Sequence, residues 1–215
     1  MIIQEKSKLL LEFEDINDNP DIDLPYTIGY WDPPEEEDIK KWRAIFIGPE
    51  GTPYEGGLFE AKITFEDTYP QTPPTINFTT KIYNCNINWS NGRVCISIIN
   101  DWGIKDEKNE KYIRPEDKNM KQVLFAVSVL FYEQNPDSPY NKSAAELYKK
   151  KQKDEKNTEF DEKVKKYVEF YATEEKFQDV EIQKMKIPGE EDLDNNLPSF
   201  LRPLPPIIPN NLSSN

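Results

Sequence analysis

A chain of 215 residues with 40 acidic and 27 basic side chains carries a formal net charge of −13 at pH 7. It repels a phosphate backbone rather than displacing its counterions, so no nucleic-acid partner is expected. With no histidine and two cysteines, Ser-His-Asp and Cys-His catalysis, histidine zinc sites, four-cysteine zinc sites and disulfide scaffolds are all excluded. No metal and no cofactor is expected. The start, Met1-Ile-Ile-Gln-Glu-Lys-Ser-Lys8, lacks a basic region followed by a long apolar run, and nowhere do about 18 apolar residues follow one another. The expectation is a soluble protein with no membrane attachment, in a reducing compartment, cytoplasmic or nuclear.

Residues 4–17 place Leu9, Leu10, Phe13 and Ile16 at spacings of three and four, an amphipathic helix that Asn17-Asp-Asn-Pro20 ends. Residues 26–31, rich in aromatic and β-branched side chains, predict a first strand, and residues 32–38 an acidic turn. Residues 41–47, 58–65 and 75–80 predict three more strands between Gly/Pro punctuation, giving an antiparallel meander, with residues 69–74 as a rigid loop at its edge.

Both cysteines lie in residues 81–99. Asn91-Gly92 is a turn signal, after which Val94, Ile96 and Ile98 alternate with Cys95, Ser97 and Ile99 as an extended segment would. Cys95 thus follows a sharp turn. A free cysteine in an apolar strand is ordinarily a small core residue, and that reading stands until the wider context is weighed. Residues 100–111 lack periodicity and predict a loop.

Residues 120–133 are apolar on almost every side, and the Asn119-x-x-Gln122 capping pattern makes them a central buried helix rather than a strand. Asn141 or Ser143 caps a third helix to about Gln152, and Phe160, Val164, Tyr167, Val168 and Tyr171 mark a fourth from Asp154 to Ala172. The Lys149-Lys-Lys151 run predicts a solvated helix face. From Thr173 the pattern dissolves: 173–215 predicts an acidic, then Pro-rich extension, extended or disordered, either a linker-like end or a docking peptide.

The order of local motifs supplies the wider context. Trp42, Gly48-Pro49, Tyr54-Glu-Gly-Gly-Leu-Phe59, Tyr69-Pro-Gln-Thr-Pro-Pro74, Gly92-Arg-Val-Cys95 and Asn135-Pro-Asp-Ser-Pro139 follow one another as in the ubiquitin-conjugating enzymes, which roughly residues 5–172 resemble. The resemblance implies an α+β fold with an N-terminal helix, a four-stranded antiparallel meander, then central and C-terminal helices, in a catalytic domain over 1–172. It implies a carrier that accepts ubiquitin from an activating enzyme as a thioester on Cys95 and transfers it to lysines of substrate proteins, usually with a ubiquitin ligase. Such a carrier is expected to be a monomer.

Thioester exchange suits a chain without imidazole, because a thiolate attacks an already activated acyl group without a general base. By the same resemblance Lys6 and Lys8 would meet the activating enzyme. Pro70, Gln71 and Pro115 would meet a ligase, although Gln71 is polar where ligase-docking relatives are often apolar. Phe125 and Val129 would touch the donor ubiquitin, core packing being the alternative. Asn84, Cys85 and Asn86 stand at the family's His-Pro-Asn motif, so Asn86 would stabilise the oxyanion or support its loop, and Asn84 would replace the histidine. Asn86 precedes Cys95 by nine positions, one more than the family spacing, with Trp89 in the lengthened turn. Ser138 would gate the incoming lysine. Ile113 replaces a family tryptophan, and Pro115 comes late, implying an insertion after Cys95 such as marks one chain-building class of the family. Three alternatives stay open: a catalytically impaired ubiquitin-binding scaffold, a carrier of a ubiquitin-like modifier, and a Cys85–Cys95 redox switch.

Overall fold

Period-two alternation of apolar side chains builds the sheet. In β2 (Lys41–Ile47) Trp42, Ala44 and Phe46 turn inward and are buried, while Lys41, Arg43 and Ile45 point the other way. β1 (Tyr26–Tyr30) and β3 (Leu58–Thr64) flank it antiparallel, with Ile28 and Ala61 on either side of Ala44, and β4 (Thr75–Phe78) completes the order β1-β2-β3-β4. The computed structural model describes residues 7–18, 26–31, 38–103, 105–106, 111–112 and 115–177. Lys6, Ile113, nearly all of the acidic turn and the extension beyond residue 177 lie outside them.

The fourth strand ends two residues earlier than expected because Thr79 and Thr80 leave the ladder to serve Glu60. The Thr79 hydroxyl donates to Glu60 Oε2 at 2.7 Å, and the Glu60 N–H donates to the Thr80 hydroxyl at 3.0 Å. The other oxygen of Glu60 accepts from Arg43 Nε, so this carboxylate is paired despite its burial.

α1 (Lys8–Asp18) lays Leu9, Phe13 and Ile16 on the inner face, the Phe13 ring 4.6 Å from Tyr30 and 5.1 Å from Trp42. After Cys95 the expected extended segment gives way to a helical turn, α2 (Ser97–Asn100), in which the Ile96 carbonyl accepts from the N–H groups of both Ile99 and Asn100. The expected loop beyond it also carries a short hairpin, β5 (Lys105–Asp106) paired with β6 (Lys111–Tyr112).

α3 (Met120–Val129) buries Met120, Val123, Leu124 and Val127 and begins with the expected capping box: Asn119 accepts from the Gln122 N–H, and the Gln122 side chain accepts from the Asn119 N–H. It stops four residues short of the expected end. Tight turns follow and place the Phe131 ring 5.1 Å from Phe59, 5.3 Å from Tyr54, 6.1 Å from Phe46 and 6.3 Å from Phe78, at the centre of the core.

α4 (Lys142–Lys153) is capped by Asn141, whose side chain accepts from the Ala144 N–H, whereas Ser143 bonds the Tyr83 hydroxyl. The fourth predicted helix starts late, as α5 (Glu159–Tyr167), because Asp154 folds its carboxylate onto the Lys156 N–H and its carbonyl onto the Asn157 N–H, a turn that competes with helix. The wider turn Val168–Ala172 and the short α6 (Glu174–Phe177) close the described chain. The lysine run is not merely solvated: Lys149 pairs with Asp137 at 2.8 Å, Lys150 with Glu159 at 3.1 Å and Lys151 with Asp161 at 2.6 Å, tying α4 to its neighbours.

Candidate active site

A buried amide network occupies the place expected for the histidine. Asn84, fully buried, donates through Nδ2 to the Leu130 carbonyl at 2.9 Å and to the Tyr54 hydroxyl at 3.2 Å, while its Oδ1 accepts from the Asn86 N–H at 2.9 Å. The Tyr54 hydroxyl donates to the Tyr83 carbonyl at 2.7 Å and accepts from Gln134 Nε2 at 2.9 Å, and Gln134 Oε1 accepts from the Cys85 N–H at 2.8 Å. Burial pushes the Tyr54 hydroxyl far above its ordinary 10.0, so it remains a donor. The Cys85 carbonyl accepts from the N–H groups of Tyr140 and Asn141. Residues 83–86 are thereby held from 54, 130, 134 and 140–141 at once. Every buried polar group of this loop that these bonds reach is satisfied, which makes the network a rigid support.

Asn86 is held at both ends of its amide. Oδ1 accepts from the Asn135 N–H at 2.7 Å and Nδ2 donates to the Asn135 carbonyl at 2.9 Å, and the side chain is buried. Its own carbonyl accepts from the Cys95 N–H at 2.8 Å, with Ile87 bridged to Val94. The segment bearing Cys95 is therefore laid against the supported loop. The turn between them closes through Gly92, at φ 70°, where a Cβ would stand 1.9 Å from the Phe78 carbonyl oxygen. Trp89, in the lengthened part of the turn, packs edge-on 5.0 Å from Tyr167 with Lys81 Nζ 4.4 Å over its face. Trp89 thus anchors the turn to α5.

The two cysteines differ sharply. Cys85 is buried with its thiol pushed up to about 12, whereas Cys95 is partly exposed. Asn100 donates from Nδ2 to Cys95 Sγ at 3.3 Å. For Cys85 a stability effect follows. The folded thiol keeps its proton to about 12 and the unfolded one only to about 9.0, so the folded state holds the extra proton between those values. Its contribution is whole below about pH 9 and lost as pH rises toward 12, with a slope of up to about 1.4 kcal/mol per pH unit. Urea midpoints measured from pH 8 to 10.5 should fall less steeply in Cys85→Ala than in the parent chain; parallel curves would show that Cys85 has no such role.

The remaining expected residues fall as follows. Lys8 donates to the Lys118 carbonyl at 2.9 Å and lies 3.5 Å from Glu12, so its charge is partly used within the fold. Pro70 and Gln71 present surface, whereas Pro115 is buried beside Gly103. Phe125 is 53% exposed, which removes the core-packing alternative for it, and Val129 is partly buried on the same stripe. Ser138 is exposed in the turn after Asn135. Sequence reasoning did not reach Tyr54, Gln134 or Asn100 as site residues. The missing histidine was the signal that another group must hold the loop, but Tyr54 stands 30 positions from Asn84 and 80 from Gln134, and Asn100, five after Cys95, reaches the sulfur only because the chain turns helical at Ser97.

An α+β fold presenting one partly exposed thiol beside a rigid amide-held loop, in a chain without imidazole, defines a protein suited to thioester exchange. The chain belongs to the ubiquitin-conjugating enzyme family, whose model matches residues 14–168. It is 36% identical over 176 residues to a ubiquitin-conjugating enzyme E2 of African swine fever virus (isolate Pig/Kenya/KEN-50/1950), covering 82% of this chain and 76% of that one. To ubiquitin-conjugating enzyme E2 1 of Caenorhabditis elegans it is 29% identical over 205 residues, covering 91% of this chain and 94% of that one. The structure resembles that of a Toxoplasma gondii ubiquitin-conjugating enzyme E2 domain with a TM-score of 0.60 at 26% identity, covering 79% of this chain and all of the other. As an enzyme of this class it acts with ubiquitin, an activating enzyme and ligases. Among the described residues no helix is long and apolar enough to cross a membrane, and no acidic or cysteine cluster could hold a metal.

Proposed function

We propose that Cys95 is the residue that carries ubiquitin as a thioester, within a catalytic domain spanning 1–172 to which 173–215 is an extension. The observation that carries this reading is the contrast between the two thiols: Cys95 is partly exposed and backed by a supported loop, whereas Cys85 is buried and held in its protonated form. Asn86 acts as loop support, its Oδ1 and one N–H being engaged with Asn135, and Asn84 does the work of the missing histidine from within the Tyr54–Gln134 network. The exposed ring of Phe125, with Val129 beside it, receives the donor ubiquitin. Pro70 and Gln71 supply the ligase contact and Lys8, with Lys6, the activating-enzyme contact. Ser138 lines the approach of the lysine, which must arrive neutral and desolvated because a serine hydroxyl is no base. The protein works as a monomer in the cytoplasm or nucleus, without nucleic acid.

The test is a loading assay with the full chain, activating enzyme, ATP and ubiquitin, run on a gel with and without reducing agent. A band one ubiquitin heavier that reducing agent removes is the expected result. No band beside a working control would move the reading to a scaffold, and a band only with a ubiquitin-like modifier and its own activating enzyme would change the cargo.

A further inference from the structure

Discharge of a thioester returns negative charge to sulfur, and one side chain already addresses that sulfur. α2 begins two residues after Cys95, and its hydrogen bonds from Ile99 and Asn100 to the Ile96 carbonyl wind the chain back so that Asn100 Nδ2 lies 3.3 Å from Cys95 Sγ, donating to it. The turn does not depend on its own backbone bonds alone. Lys118, buried beneath it, donates from Nζ to the carbonyls of Ile98 at 3.0 Å and Asp101 at 2.9 Å and lies 5.0 Å from the Trp102 ring centre. Trp102 in turn donates from Nε1 to the Pro70 carbonyl at 2.8 Å. The end of α2 is thus pinned to the body of the domain on the side away from solvent, while Asn100 itself is exposed and free to face an arriving acyl group.

Resting on the assignment of Cys95 as the thioester residue, we propose that Asn100 is a catalytic residue of this chain, donating its side-chain N–H to Cys95 sulfur as that sulfur leaves during transfer. In the step, the lysine nitrogen bonds to the thioester carbonyl carbon and the carbonyl π pair moves to oxygen. The tetrahedral adduct then collapses, the carbon–sulfur bond breaks, and Cys95 departs as thiolate while the amine's proton passes to water. An isopeptide bond replaces the thioester, and no oxidant or further reactant is needed. An N–H···S bond is stronger to a thiolate than to a neutral thioester sulfur, so Asn100 favours the transition state of discharge over its ground state. In loading the same contact faces the attacking sulfur, so both half-reactions pass beside Asn100. Asn86 makes no hydrogen bond to Cys95 Sγ; its side chain bonds Asn135 through Oδ1 and one Nδ2 N–H.

Asn100→Leu, nearly isosteric and without a donor, and Asn100→Asp, which sets a carboxylate against the thiolate, test it on the full chain. The first measurement is single-turnover discharge to free lysine after loading and quenching. Measured on the fraction that has loaded, both variants should discharge about ten- to a hundredfold more slowly, as the loss of one hydrogen bond to a charged group implies. The second is alkylation of the unloaded protein by iodoacetamide at pH 7, which should be slower in Asn100→Leu and needs no ubiquitin. Discharge and alkylation of Asn100→Leu at parental rates would overturn the proposal. A parent chain that alkylates at Cys95 but takes no ubiquitin would instead refute the thioester assignment, and the alkylation series would still report on the contact. Equal melting temperatures of variants and parent show that the exposed position was changed without loosening the fold.

Discussion

Cys95→Ala abolishes the thiol-sensitive ubiquitin adduct, Cys95→Ser replaces it with one that reducing agent does not remove, and Cys85→Ala still loads. The expectation rests on access and on charge. Cys95 is partly exposed and follows the Gly92 turn, its backbone N–H held by Asn86, so the sulfur is presented in one place without being enclosed. Cys85 is fully buried, and desolvation keeps its thiol protonated to about 12, so at neutral pH it offers an acyl group neither a path nor a nucleophile. A serine hydroxyl at 95 can accept the same acyl group more slowly, and the resulting ester has no thiol exchange open to it. The gel that tests loading reads all three variants. An adduct that survives Cys95→Ala and vanishes in Cys85→Ala would reverse the assignment.

Tyr54→Phe lowers the free energy of unfolding by about 2–4 kcal/mol, a large effect for the loss of one oxygen. The ring stays, with its edge-on contacts to Phe59 and Phe131, so no cavity accompanies the change. The hydroxyl, however, is the common partner of Asn84, Gln134 and the Tyr83 carbonyl, all buried or facing the buried loop. Removing it leaves Gln134 Nε2 and the Tyr83 carbonyl without this partner in a place where it is costly to leave polar groups unmet. Urea unfolding should show a lower midpoint with an unchanged slope, and the melting temperature should drop by roughly 5–15 °C for a domain of this size. A change below about 0.5 kcal/mol, the ordinary effect of a surface substitution, would mean that the loop is held without the hydroxyl. Because the same loop backs Cys95, slower loading should accompany the lost stability.

The strand alternation at Trp42, Ala44 and Phe46, the helix spacing of Leu9, Phe13 and Ile16, and the Asn119–Gln122 capping box were legible because each is a pattern within one element. Where reading failed, a distant partner outweighed a local preference. Val94 to Ile99 alternate like a strand and are rich in β-branched residues, yet the chain turns helical at Ser97. The carbonyls of Ile98 and Asp101 are claimed by Lys118, 20 and 17 positions further on. Burial lowers the pKa of that lysine below the ordinary 10.5, a cost that its two carbonyl partners and the Trp102 face offset. Asp154 likewise ended one helix and delayed the next through a side-chain turn that no periodicity displays.

For the site the division is similar. The absence of histidine, the order of the motifs and the turn before Cys95 are written in the sequence, and they determine that any cysteine chemistry here proceeds without an imidazole, as thioester exchange can. The tertiary structure decided which amide does what. Asn84 became the buried keystone, Asn86 was committed to Asn135, and Asn100, which resembles any other loop asparagine in the sequence, came to lie on the sulfur. Three asparagines have the same donors and acceptors, and only the partners that folding brings to each decide which are spent on the scaffold and which remains for a substrate.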